Sequence, residues 1–107
     1  MSFGGGNMQK MMKQVQKMQA DMARLQEELG NVTVEGSAGG GAVQVVATCH
    51  QEIRQVKIDK SVIDPEDSEL LEDLVSTAVN DALDRSKETA AQEMEKITGG
   101  MKLPGLF

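Results

Sequence analysis

Near the start of the chain, Met8, Met11, Val15, Met18, Met22, Leu25 and Leu29 recur at alternating steps of three and four. A strand would scatter these residues over two faces, whereas a helix gathers them into one coiled-coil-type seam. Taking Met8 as heptad position a puts Lys10, Lys17 and Arg24 at c and Lys13 at f, on the face away from the seam. No carboxylate precedes Asp21. One helix therefore carries two stripes back to back. The methionine stripe is pliable and suits packing or a partner helix, and the cationic stripe suits an anionic partner.

The seam predicts a helix from Met8 to Leu29, about 33 Å long at 1.5 Å per residue. Asn7 is read as its N-cap and Gly30 as its stop. Gly4, Gly5 and Gly6 read as part of a flexible leader over residues 1–7. The pattern then changes to period two. Val32 to Glu35 reads as one strand, Gly36 to Gly41 as a glycine-rich loop, Ala42 to Thr48 as a second strand and Glu52 to Asp59 as a third. In the second strand Val43, Val45 and Ala47 share a face. In the third, Val56 and Ile58 share a face and Ile53 is out of phase, which calls for a bulge or a two-sided strand.

Asp64-Pro65-Glu66-Asp67 reads as a helix start, with Asp64 as cap and Pro65 at N1. That helix runs to about Ile97, where Thr98-Gly99-Gly100 ends it. Leu70, Leu71, Leu74, Val75, Ala78, Val79, Ala82 and Leu83 make a stripe broad enough to cover a sheet. Beyond Arg85 the stripe thins to Ala90, Ala91, Met94 and Ile97. Its second half should overhang the sheet and need a neighbour, either the first helix or another subunit. Residues 8–98 then form a single domain, with residues 99–107 as a flexible tail.

The formal charge is −6, which by itself disfavours a nucleic-acid binder, but the charge is uneven. Residues 59–84 hold nine acids against one lysine, while the first twenty residues hold three lysines and no acid. Much of the acidic block crowds the positive end of the second long helix, so the dipole accounts for it without a ligand. The one cysteine, Cys49, permits no internal disulfide and fits a reducing compartment. There is no signal-peptide h-region and no apolar run of membrane-spanning length.

Sites for chemistry are hard to find. The glycine loop is followed by Ala42-Val43 where a phosphate loop needs Gly-Lys-Ser/Thr. Cys49 and His50 supply half of a zinc set, and neighbours on a strand or turn point apart, so the pair reads as an incidental turn. The acidic segment lacks the ligand spacing of a calcium loop. The reading is of a non-enzyme with no cofactor and no small-molecule substrate.

Five segments in order carry a resemblance to a known family: Val34-Glu35-Gly36-Ser37-Ala38-Gly39-Gly40-Gly41, Val56-Lys57-Ile58-Asp59, Leu70-Leu71-Glu72-Asp73-Leu74-Val75, Asn80-Asp81-Ala82-Leu83, and Thr98-Gly99-Gly100 with Leu103-Pro104. The chain resembles the YbaB/EbfC family of bacterial nucleoid-associated proteins from about Met8 to Pro104. The resemblance implies an α+β fold, an α-β-β-β-α protomer with a three-stranded antiparallel sheet and two long helices. It further implies a tweezer-like homodimer that binds DNA in the cytoplasm, at the nucleoid, without catalytic residue, cofactor or membrane. Many family members place an Asn-Gly turn where this chain has Thr48-Cys49-His50-Gln51, so the shape of that turn is open. On residues alone the lysine stripe reads rather as a solvated helix face, the usual fate of lysines, than as a phosphate contact. With the resemblance, Lys10, Lys13, Lys17 and Arg24 become the DNA-binding candidates, with Lys87 and Lys96 behind them. Binding would be mainly electrostatic and weakly sequence-selective. The rival reading is an interaction scaffold or holdase that uses the methionine-rich helix.

Overall fold

The structure is a computed structural model that describes residues 3–99, with side chains from residue 8 onward. Its elements follow the order α1 (Phe3–Glu28), β1 (Thr33–Ala38), β2 (Val43–Thr48), β3 (Ile53–Ile58) and α2 (Ser68–Thr98), with single 3-10 turns at Leu29–Asn31, Gly39–Gly41 and Lys60–Val62. The strands form one antiparallel sheet in the order β1-β2-β3. The α-β-β-β-α architecture is therefore that expected from the sequence. The remainder of the tail, residues 100–107, lies outside the described residues.

The strands pair so that Val34, Gly36 and Ala38 of β1 stand beside Ala47, Val45 and Val43 of β2. These residues line the face that α2 covers. Val43, Val45, Ala47, Ala78 and Ala82 are fully buried there, with Leu74, Val75 and Val79 packed against them. Gly36 to Ala38 were expected in a loop but belong to β1. The reason is the approach of α2. A Cβ on Gly36 would strike the Ala82 amide nitrogen and sit 2.6 Å from the Ala78 carbonyl oxygen. Glycine here is a packing residue of the strand. The loop proper is Gly39–Gly41, all three at positive φ, which only glycine adopts without strain.

The β2–β3 pairing shifts between Val46 and Ala47, which face Gln55 and Ile53. Arg54 is the extra residue of a bulge, and the bulge returns Ile53 to the face shared by Val56 and Ile58. The turn from Thr48 to Glu52 closes through Gln51 N–H to the Thr48 carbonyl (2.9 Å), while Thr48 Oγ1 accepts from the amides of His50 and Glu52. Gln51 holds φ +63°, a left-handed position where a side chain is strained. Gln51→Gly is expected to stabilise the fold by up to ~1 kcal/mol, read as a rise in thermal midpoint.

Both helix starts differ from expectation. The backbone is already helical at Phe3, so Asn7 is an interior position and the glycines are inside α1. Once a helix is nucleated, each added residue gains a hydrogen bond, which carries it through poor formers. At α2 the cap is Asp67, whose side chain accepts from Leu70 N–H, and Asp64 is spent on its own turn, accepting from Glu66 N–H at 2.9 Å. Gly99, in left-handed conformation, ends α2.

Thirty-one residues make α2 about 46 Å long, more than twice a strand of ~20 Å. Its second half leaves the sheet as expected, and the neighbour it meets is α1. Leu25 and Leu29 pack with Cys49 against Ala90, Met94 and Ile97. The outcome is an elongated body of 80 × 21 × 17 Å.

Candidate nucleic-acid interface

Burial along the α1 seam is graded. Leu29 is 1 % exposed and Leu25 is buried, Met22 and Met18 are half-buried, and Met8 and Met11 are each 63 % exposed. The same repeat that predicts one helix face thus serves two ends. Its base is core, and its outer part projects as an arm. Met8, Met11, Met12 and Val15 line a shallow apolar depression at the outer end, with Gln16.

Lys10, Lys13 and Lys17 are exposed on this arm and make no ion pair among the described residues. Their spacing of three and four aligns them along one side of the continuous helix. Arg24 stands apart from them electrostatically. Its guanidinium holds Asp21 at 2.9 Å and approaches Glu28 at 3.9 Å. Both partners lie at helical i,i+3 or i,i+4 spacing, so this pairing was readable from the sequence. Lys96 is likewise held by Glu93 at 2.9 Å. Lys87 is exposed and makes no ion pair among the described residues. Nine positions separate Lys87 from Lys96, which is two and a half helical turns, so the two point to opposite sides of α2. The structure therefore brings three of the six candidates into one unneutralised stripe.

The body behind the arm has a different character. Glu66, Glu69, Glu72 and Asp73 are exposed around the start of α2. Asp81 accepts from Ser37 N–H (3.0 Å) and from Arg85 Nε (3.2 Å), and these bonds, the backbone one foremost, hold its carboxyl below the ordinary carboxylate range. It thereby occupies an outward amide of the edge strand β1. The Cys49 thiol is pushed up, first by burial and then by the Glu93 charge. Among the described residues, no three His, Cys, Asp or Glu side chains come together as a metal set.

Two residues absent from the candidates contact the base of the arm. His50 Nε2 bonds the Gln26 carbonyl, and Arg54 Nη2 donates to the Gly30 carbonyl at 3.3 Å. The turn is therefore not incidental, as the sequence alone suggested. A residue's partner 24 positions away leaves no local pattern to read.

The comparisons agree with this architecture. A model of the YbaB/EbfC DNA-binding family matches residues 4–101. Relatives called nucleoid-associated protein include one from Pelotomaculum thermopropionicum, 59% identical over 96% of this chain and 98% of its own length. Another, from Desulforamulus reducens, is 63% identical over 96% of this chain and 98% of its own length. An uncharacterized protein of Helicobacter pylori has a similar crystal structure, with a TM-score of 0.67 over 92% of this chain and 99% of that one. At 24% identity that likeness concerns the fold.

Proposed function

This chain belongs to the YbaB/EbfC DNA-binding family, and from that membership we propose that it is a nucleoid-associated DNA-binding protein of the bacterial cytoplasm, working as a homodimer whose α1 arms grip duplex DNA by charge. The carrying observation is the stripe of Lys10, Lys13 and Lys17 on a projecting arm, in a stretch of the chain with no acid before Asp21. Lysines that neutralise phosphates release counterions irrespective of sequence, so the affinity is salt-dependent and weakly selective. Arg24, Lys87 and Lys96 are secondary contacts in this reading, because two of them already have carboxylate partners. The acidic bodies face away from the duplex and limit non-specific adhesion.

A gel-shift titration on random and defined duplexes tests the reading. Six lysines from two arms imply a loss of about a thousandfold in affinity between 50 and 200 mM salt. Binding that ignores salt would sink it.

The dimer reading has its own support. α2 covers β1 and β2 but leaves Ile53 and Val56 on the same face of β3 open, 41 % and 44 % exposed, while Ile58 packs against the core. Ile63 and Leu70 are exposed as well, and a monomer seldom leaves this much apolar surface open to water. A second copy packed on this face would pair two arms and gain affinity by bivalence. Light scattering should give twice the chain mass for the parent. Val56→Asp should give a monomer that binds DNA more weakly. A dimeric Val56→Asp would move the interface elsewhere.

One observation favours the rival. The exposed cluster Met8, Met11, Met12 and Val15 suits capture of apolar segments by a scaffold or holdase. Such capture would persist in high salt, where the DNA grip fails.

A further inference from the structure

α1 ends in a way that helices seldom do. The last four carbonyls of a helix have no partner within it and usually find water or a local cap. Here donors from the β2–β3 hairpin reach the Gln26 carbonyl in the last turn and carbonyls just beyond it, where the Val32 amide also caps Leu29 locally (3.3 Å). With hydrogen on Nε2, His50 donates to the Gln26 carbonyl. The Cys49 amide donates to the Leu29 carbonyl (3.2 Å) and the Val32 carbonyl (2.9 Å). Arg54 Nη2 donates to the Gly30 carbonyl. Thus three donors on one hairpin, from Cys49, His50 and Arg54, hold the last turn of α1 and the segment Leu29 to Val32 that follows it, 17 to 24 residues earlier in the chain.

Each part of the hairpin is shaped for this. Thr48 Oγ1 binds the amides of His50 and Glu52, which fixes the turn that presents His50. The bulge supplies Arg54 as an extra residue, free of ladder pairing. Gly30 makes room for the imidazole, since a Cβ there would lie 2.9 Å from both His50 Nδ1 and Cε1. The negative end of the α1 dipole favours the Arg54 cation beside it.

The rest of the arm has little else to steady it. Outward from Met22 the seam is at most half-buried, so the angle at which α1 leaves the body is set at its base. A small rotation there is multiplied along some 30 Å of helix. We infer that His50 and Arg54 form a clasp that orients the α1 arm, and that they are positioning residues for DNA binding. This rests on the reading that α1 carries the DNA contact. The two residues touch no DNA in this scheme; they act through the direction and stiffness of the arm that bears Lys10, Lys13 and Lys17.

The test combines His50→Ala with Arg54→Ala in the full chain. Amide exchange in α1 between Met18 and Glu28 should accelerate by about tenfold, while Ser68 to Leu83 of α2 stays at the parent rate. Spin labels on Gln9→Cys, one per protomer, should report a broadened distance distribution. Gln9 is exposed, whereas the native Cys49 is buried and so resists the label. DNA affinity should fall about tenfold at unchanged dimer mass. His50→Gln, which keeps a donor near the Nε2 position, should recover most of its share. Gly30→Ala gives a second route, because it displaces the ring without removing it and should loosen α1 in the same way.

Parental exchange and parental label distances in both the double variant and Gly30→Ala would overturn the clasp. Those readouts need no DNA. Failure of the DNA-contact reading would show instead in charge reversal of the arm lysines.

Discussion

Gly36→Ala is expected to cost the fold about 3 kcal/mol or more. The added methyl would collide with the Ala82 amide nitrogen and come within 2.6 Å of the Ala78 carbonyl oxygen and 2.7 Å of Ala82 Cα. All three are backbone atoms of α2, so no side chain can swing aside. Either α2 lifts from β1 or the strand bends, and both open the cluster of Val43, Val45, Ala47, Ala78 and Ala82. For a domain of this size the loss corresponds to a fall of roughly 12–24 °C in thermal midpoint, measurable by circular dichroism. Gly40→Ala is the control. Gly40 is left-handed at φ +66° but has nothing within 4 Å, so it should cost only ~1 kcal/mol. Gly36 is not at positive φ, so a loss there no larger than at Gly40 would mean that α2 gives way to the added methyl and that its approach does not require glycine.

The same glycine shows where sequence reading stops. Period-two patterning found all three strands, and the seam found α1, because each signal is local and repeats. Gly36-Ser37-Ala38 looks like loop because small residues carry no hydrophobic signal. The smallness of Gly36 is required by Ala78 and Ala82, some forty positions later, and only the folded chain brings them together. The helix starts fail differently. Asp64 and Asp67 are both competent caps, and Asp64 loses because its carboxylate closes a turn onto Glu66 N–H. At Ile53 the phase error did announce a bulge, since an out-of-step apolar residue must either be exposed or be re-aimed. In the site, the lysine stripe was legible as helix geometry. So was the neutralisation of Arg24 by Asp21 and Glu28, had helical spacing been applied to acids as well as bases. The clasp was not legible, because His50 and Arg54 meet α1 through tertiary contacts alone.

Reversing Lys13 and Lys17 to Glu should abolish most DNA binding while leaving the protein folded. Both side chains are exposed and unpaired among the described residues, so no native ion pair is lost. Lysine and glutamate are nearly equal helix formers, and the seam is untouched. Circular dichroism and dimer mass should therefore match the parent. Each lysine that neutralises a phosphate contributes about 0.9 to the slope of log K against log salt. Losing one arm's pair would cost about a hundredfold in affinity at 0.1 M salt and flatten the slope by about 2. If both arms of a dimer hold one duplex, the flattening should be about 4, so the slope also reports how many arms engage. The loss should be the same on every duplex, because phosphates carry no sequence. A reversed protein that is dimeric and binds like its parent would remove α1 from the interface. The exposed lysines of α2 would then be next, and they are separable. Lys87 and Lys96 lie half a turn apart, so a single duplex surface along that helix can engage only one of them, and single reversals would show which.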